Sequence, residues 1–158
     1  MDIVTQDFED TQHGRYLTFM LGRESFGLEI SYVKEIVNMQ PITALPEVPG
    51  YVKGIINLRG RIIPVIDMCL KFGLELSPYT DRTCIIVIDI KEISVGLIVD
   101  NVAEVLVIED NDIVPPPSSR TGASNDYIKA IGKTGSDVKL LLDCDKLFQD
   151  SELETLNS

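Results

Sequence analysis

Four groups of residues could do chemistry by their type: one histidine, three cysteines, a Gly-Lys-Thr triplet and a run of carboxylates. His13 is the single histidine and sits in a polar N-terminal stretch. A Ser-His-Asp or Cys-His arrangement would have to bring that stretch to a pocket. Cys69, Cys84 and Cys144 form an odd set without a Cys-x-x-Cys spacing, each flanked by apolar residues. They read as buried thiols, not as a disulfide framework or a zinc site. Gly132-Lys133-Thr134 has the ending of a phosphate-binding loop, but that loop needs a glycine where Tyr127 stands and a helix directly after the threonine. Here Gly135 and Ser136 follow, so the triplet reads as a strand running into a hairpin turn. Glu109-Asp110-Asn111-Asp112 lacks the spacing and glycine of a calcium loop and reads as a solvated helix start. The expectation is therefore no catalytic residue, no metal and no cofactor: a binding module, not an enzyme.

Charge narrows the partners. The net charge of −11 opposes nucleic acid, whose phosphates demand Lys and Arg, and opposes anionic membrane surfaces. No apolar run approaches the ~20 residues of a membrane span. The first residues lack the basic and apolar segments of a signal peptide. A cytoplasmic protein is expected, with a flexible polar tail over 1–14. At 158 residues, 44% of them hydrophobic, the chain can bury a sizeable core without metal or disulfide.

The elements that must position any site are mostly strands. "RYLTFMLG" alternates, turns near Gly22, and returns as "FGLEI". "SYVKEIVN" reads as a short helical turn, with Ser31 as N-cap and Val33, Ile36 and Val37 on one side. "QPITALP" is a proline-punctuated loop. "GIINLRGRIIPVIDM", 54–68, is a second hairpin, and Asp67 can cap a short helix ending at Gly73. "TCIIVIDI" and "ISVGLIVD" make a third hairpin around Lys91-Glu92. After a proline-rich loop over 115–124 comes the strand "VKLLLD", with Asp143 capping a C-terminal helix from about residue 144.

The chain repeats itself. "FGLEISYVKEIV" aligns with "VGLIVDNVAEVL" at a shift of 69, and "YVKGIINLRGRIIPVIDMCLKF" with "YIKAIGKTGSDVKLLLDCDKLF" at a shift of 76. The reading is a mainly β chain of two similar units, about 15–75 and 82–148, with a seam between them. Small closed barrels suit short antiparallel strands, because closure removes exposed edges. Arg59 has no counterpart in the second copy, so it is not needed merely to fold the unit. Its place before Gly60 fits poorly with the usual two-residue hairpin turn, which favours Asn or Gly first. Pro64 has no N–H for a ladder, which predicts an edge strand or a bulge.

"GIINLRGRIIPVIDM", together with "YLTFMLGRESFGLEISYVKEIV", "VGLIVDNVAEVL" and "LLLDCDKLF", resembles the CheW family of chemotaxis coupling proteins over about 15–148. The regulatory domain of the histidine kinase CheA shares that fold. The resemblance implies one CheW-like domain over 15–150: two five-stranded SH3-like β-barrels packed side by side, with short helices and a C-terminal helix. It implies a non-enzymatic adaptor that links the cytoplasmic coiled-coil tip of chemoreceptors to the CheA regulatory domain, at the inner face of the membrane without inserting into it. A scaffold in a non-motility receptor–kinase pathway is the alternative. Carried over position by position, the receptor groove comprises Leu17, Ile30, Val33, Glu35, Ile36, Arg59 and Val102, with Glu35 and Arg59 paired at its edge. Gly54 and Gly60 match signature glycines that let backbone pass close by. From the residues alone, Ile30 and Val33 read as core.

Overall fold

The structure is a computed structural model and describes residues 13–75, 78–116 and 127–148. The polar stretch 1–12 and most of the 115–124 loop lie outside the described residues. The strands are β1 (Arg15–Leu21), β2 (Glu24–Glu29), β3 (Val33–Asn38), β4 (Val52–Leu58), β5 (Arg61–Asp67), β6 (Cys84–Ile90), β7 (Ile93–Val99), β8 (Asn101–Val107), β9 (Ile113–Val114), β10 (Ile128–Thr134) and β11 (Asp137–Leu142). Two single-turn helices, α1 (Met68–Lys71) and α2 (Cys144–Leu147), follow β5 and β11. Their N-caps are the expected aspartates: Asp67 accepts from the Leu70 N–H at 3.1 Å, and Asp143 from the Asp145 N–H at 3.1 Å.

The fold is mainly β, as the sequence indicates, in two sheets. One has six strands in the order β8-β1-β2-β11-β10-β9, and the other five in the order β3-β6-β7-β5-β4. The sixth strand of the larger sheet is the two-residue β9, which the sequence reading did not anticipate.

The sheets do not follow the two sequence units. Under the two repeat shifts, β1, β2, β3, β4 and β5 correspond to β6, β7, β8, β10 and β11. Each sheet then has the same internal order, but takes its first hairpin from one unit and its other three strands from the other. The parallel ladders that join the exchanged parts are equivalent. Gly27 lies beside Leu141 in the larger sheet, as Gly96 lies beside Val65 in the smaller. The backbone links Asp67 N–H to Tyr51 C=O and Asp143 N–H to Tyr127 C=O, each at 2.8 Å, are equivalent too.

Burial follows from this exchange. The largest core sits between the sheets and mixes both: Leu17, Phe19, Phe26 and Leu28 from one, Ile86, Ile88 and Leu97 from the other. Alternate residues on the same strands point the other way, into two smaller cores. Ile85, Val87, Ile98 and Val65 fill one, and Tyr16, Ala130 and Leu141 the other. Two-sided burial explains why "CIIVIDI" is an almost unbroken apolar run.

Two local expectations are corrected. "VKEIVN" is not a helical turn but strand β3, after a three-residue 3₁₀ turn over Ile30–Tyr32. Its β-branched residues pair with β6, and the sheet outweighs a weak helical pattern. Pro64 lies neither on an edge strand nor at a bulge, since β5 sits between β4 and β7. Its partner Ile55 turns its N–H and C=O to Thr43, both at 2.9 Å, so Ile55 and Pro64 face each other without a ladder bond. The β5–β7 ladder begins only at Val65. The missing N–H is thus never required.

Candidate functional site

The sequence points to a seam where the two units meet, and two edge strands bring residues to it. β3 ends the five-stranded sheet and β8 the six-stranded one. Successive side chains of a strand leave on opposite faces. On β3, Ile36 and Asn38 therefore point one way and Glu35 and Val37 the other. Ile36 and Asn38 meet Asn101 and Val102 of β8 in an open cleft of about 460 Å³, completed by Arg82 and Cys84. Ile36 is 44% exposed, an unusual state for a large aliphatic side chain.

The candidate residues divide into three groups. Ile36 and Val102 line the cleft from opposite sheets. Ile30 and Val33 are half-buried and pack on the central core, as does the inner part of Val102. Leu17 is only 2% exposed, so a partner cannot touch it in this conformation and it supports the seam from beneath. Asn38, Asn101 and Arg82 also line the cleft and were not anticipated. Asn101 was legible as the neighbour of Val102, whereas Arg82 carries no sequence signal.

Glu35 and Arg59 form the third group, away from the Ile36 face. The Arg59 Nη2 group donates to Glu35 Oε2. Arg59 is 67% exposed and Glu35 27%, so the pair is a surface ion pair. The turn carrying Arg59 corrects the sequence reading. Arg59 and Gly60 are a two-residue turn with φ of +54° and +87°, the mirror-image type that suits a hairpin. The Asn57 carboxamide accepts from the Gly60 N–H at 2.8 Å and closes it. Gly54 is required for a different reason. A Cβ there would lie 2.1 Å from the Thr43 carbonyl oxygen, so only glycine lets Thr43 bridge to Ile55.

A polar chain beside this pair, on the same face of the sheet, was missed. Arg61 Nη2 donates to Ser94 Oγ at 2.8 Å, and Ser94 Oγ donates to Asp89 Oδ1 at 2.7 Å. Lys34 Nζ stands 3.9 Å from Asp89 Oδ2. Both arginines around Gly60 are thereby tied towards β3 on the same face, the one that carries Glu35.

The chemically capable residues lie elsewhere. His13 is exposed, 3.5 Å from Asp110. All three cysteines are buried and free. Burial, with Asp100 and Asp67 nearby, pushes the Cys69 thiol up to about 12; burial does the same to Cys144. Such thiols are poor nucleophiles. Gly132–Thr134 lies within β10, with no helix after it. Among the described residues no group of three or more His, Cys, Asp or Glu side chains could hold a metal ion, and no helix is long and apolar enough to cross a membrane.

Two exchanged β sheets, with a half-apolar cleft between their edge strands, define a module of paired β units. The CheW-like domain profile matches residues 15–152. The chain is 34% identical to chemotaxis protein CheW of Treponema pallidum, covering 89% of this chain and 85% of that protein. It is 32% identical to chemotaxis protein CheW of Klebsiella aerogenes, covering 94% and 90%. The crystal structure of the scaffolding protein TtCheW from Thermoanaerobacter tengcongensis superposes with a TM-score of 0.81, at 37% identity, over 88% of this chain and 94% of that one. The chain belongs to the CheW-like family, and its role is that of an adaptor in chemotaxis signalling.

Proposed function

We propose that the chain couples the cytoplasmic tip of chemoreceptors to the histidine kinase CheA, acting in the cytoplasm over residues 15–150 as one unit. The Ile36–Val102 cleft carries this reading. A receptor tip is an antiparallel helical coiled coil, and an open cleft with aliphatic walls and amide rims accepts one face of a helix. Ile36 and Val102 supply the apolar contact, while Asn38 and Asn101 supply hydrogen bonds to the helix surface. Glu35 and Arg59 hold the β4–β5 turn beside the cleft and set the register of the partner more than its affinity. Leu17, Ile30 and Val33 keep the two edge strands at the spacing the helix needs. CheA binds through its like-folded regulatory domain, against a surface other than the cleft.

The reading assigns no reaction to the chain. The buried, high-pKa thiols and the solvated His13 are in keeping with that. The test is binding of a purified receptor cytoplasmic fragment to the wild-type chain and to Ile36→Asp, with CheA binding measured in parallel. Loss of receptor binding with retained CheA binding supports the cleft. Undiminished receptor binding by a folded Ile36→Asp removes it.

A further inference from the structure

Both edge strands of the cleft bulge at the same place in the repeat. In β8, Val102 lies opposite Phe19 and Glu104 opposite Thr18, which leaves Ala103 as the extra residue. In β3, Val33 lies opposite Ile88 and Glu35 opposite Val87, which leaves Lys34 as the extra residue. At the shift of 69, Thr18 corresponds to Val87, Lys34 to Ala103 and Glu35 to Glu104. A bulge displaces the alternation of side chains by one residue. Val102 and Val105 therefore leave β8 on one face, opposite Phe19 and Leu17 of the central core, instead of on opposite faces. Val33 and Ile36 do the same on β3, opposite Ile88 and Ile86. Each aliphatic wall of the cleft is thus made by a bulge.

The two bulges are fastened differently. Thr18 is fully buried, and its hydroxyl bonds the Glu104 backbone twice. It donates to the carbonyl oxygen at 2.9 Å and accepts from the N–H at 3.2 Å. Val87 has no hydroxyl and fills the smaller core of its own sheet. Glu35 is held instead through its side chain, by Arg59. Gly135, which stands where Arg59 does at the shift of 76, has no side chain to pair with Glu104. The residue after the bulge is therefore fastened in both strands, by an ion pair in β3 and by a buried hydroxyl in β8.

We infer that Thr18 is a positioning residue for the β8 wall: its hydroxyl locks the bulge and so holds Val102 and Val105 together on the cleft face. A buried hydroxyl is costly unless bonded, and Val87 shows that valine fills this place in the repeat. The hydroxyl is thus not needed to build the unit. β8 is bonded on one side only, as an edge strand. Without the lock its register can slip by one residue, which sends Val102 or Val105 to the other face. The inference deepens the receptor-coupling reading and rests on it for the identity of the occupant.

Two variants separate the hydroxyl from the shape of the side chain. Thr18→Val keeps the shape and removes the hydroxyl, whereas Thr18→Ser keeps the hydroxyl and removes the methyl. Each is titrated with receptor cytoplasmic fragment and with CheA, and amide hydrogen exchange over 102–105 is followed in ¹⁵N-labelled protein. Thr18→Val should stay folded and exchange the Glu104 amide about tenfold faster. It should bind receptor about three- to tenfold more weakly, with CheA affinity unchanged. Thr18→Ser should keep wild-type Glu104 exchange and receptor affinity. Wild-type receptor affinity in Thr18→Val would overturn the positioning role, and wild-type Glu104 exchange would overturn the lock itself. A weakened Thr18→Ser beside a normal Thr18→Val, or equal loss of both partners in Thr18→Val, would make Thr18 a packing residue and overturn the inference. If the wild type binds no receptor fragment, the coupling reading fails, and Glu104 exchange in the two variants alone decides for or against the lock.

Discussion

Arg59 reaches Glu35 from a left-handed backbone conformation that its counterpart Gly135 adopts without strain. A side chain is thus held in a costly turn to make a surface ion pair worth about 0–1 kcal/mol. Relief of a non-glycine left-handed residue is worth about 1–2 kcal/mol. Arg59→Gly should therefore leave thermal stability unchanged or slightly raised, within about 1 kcal/mol. Receptor binding should weaken only modestly, about threefold, because the pair sets register more than affinity. Thermal unfolding and receptor pull-down on one preparation decide it. A large drop in melting temperature with normal binding would make Arg59 a folding residue.

Ile36 is the cleft residue the fold needs least. It is 44% exposed, so Ile36→Asp should change stability by no more than about 0.5 kcal/mol. A charge in the apolar wall should nevertheless reduce receptor binding while sparing CheA binding. Val33→Asp should behave differently, because Val33 packs on the central core. It should lower the melting temperature and weaken both partners together. Calorimetric titration with each partner, beside unfolding curves, separates the two cases.

The exchange of hairpins depends on two glycines. A Cβ at Gly96 would lie 2.7 Å from Ile85 Cγ2 and 2.9 Å from Val65 Cγ1, on the strand donated by the other unit. Gly96→Ala should destabilise the chain by about 1–3 kcal/mol through overpacking. Adding Ile85→Val to it should not recover stability, since valine keeps the Cγ2 methyl and the Val65 contact also remains. Urea unfolding of the single and double variants measures this; an unchanged midpoint for Gly96→Ala would mean the ladder can spread.

The buried thiols set a pH dependence. Cys69 and Cys144 rise from an ordinary 9.0 to about 12 in the folded chain. The folded state therefore holds these protons more tightly than the unfolded state does. Their contribution is fully present below pH 9 and is lost as pH rises from about 9 towards 12. Unfolding free energy should be flat in this respect up to pH 9 and fall above it, and less steeply in a Cys69→Ser, Cys144→Ser double variant. At pH 8 a thiol reagent should react with the native chain only as fast as it opens, and quickly in denaturant.

How legible was this molecule in its sequence? Hairpins with clear alternation and turn residues stood out, as did Asp67 and Asp143 as helix caps, because local chemistry decides them. The β3 strand did not, because "SYVKEIVN" carries a helical spacing that only pairing with β6 overrides. The repeat was visible, but the exchange of hairpins between units was not. Gly27 facing Leu141 and Gly96 facing Val65 are contacts over long separations, and no local pattern encodes which copy supplies the neighbour. Ile36 and Val102 were named only through the family resemblance, and both line the cleft between the edge strands. Leu17 belongs to the core, and resemblance to a family cannot separate a residue that touches a partner from one that supports it. The Arg61–Ser94–Asp89–Lys34 chain spans four strands and became visible only once they were in register.

The central claim is that the chain joins two other proteins into one responsive unit. Its most direct test is a titration of this chain into a fixed mixture of receptor cytoplasmic fragment and CheA, with kinase output as the reading. Output should change steeply with added wild-type chain, and much less with Ile36→Asp. Kinase output that stays the same at every concentration of the wild-type chain, with both other proteins active, would contradict the account.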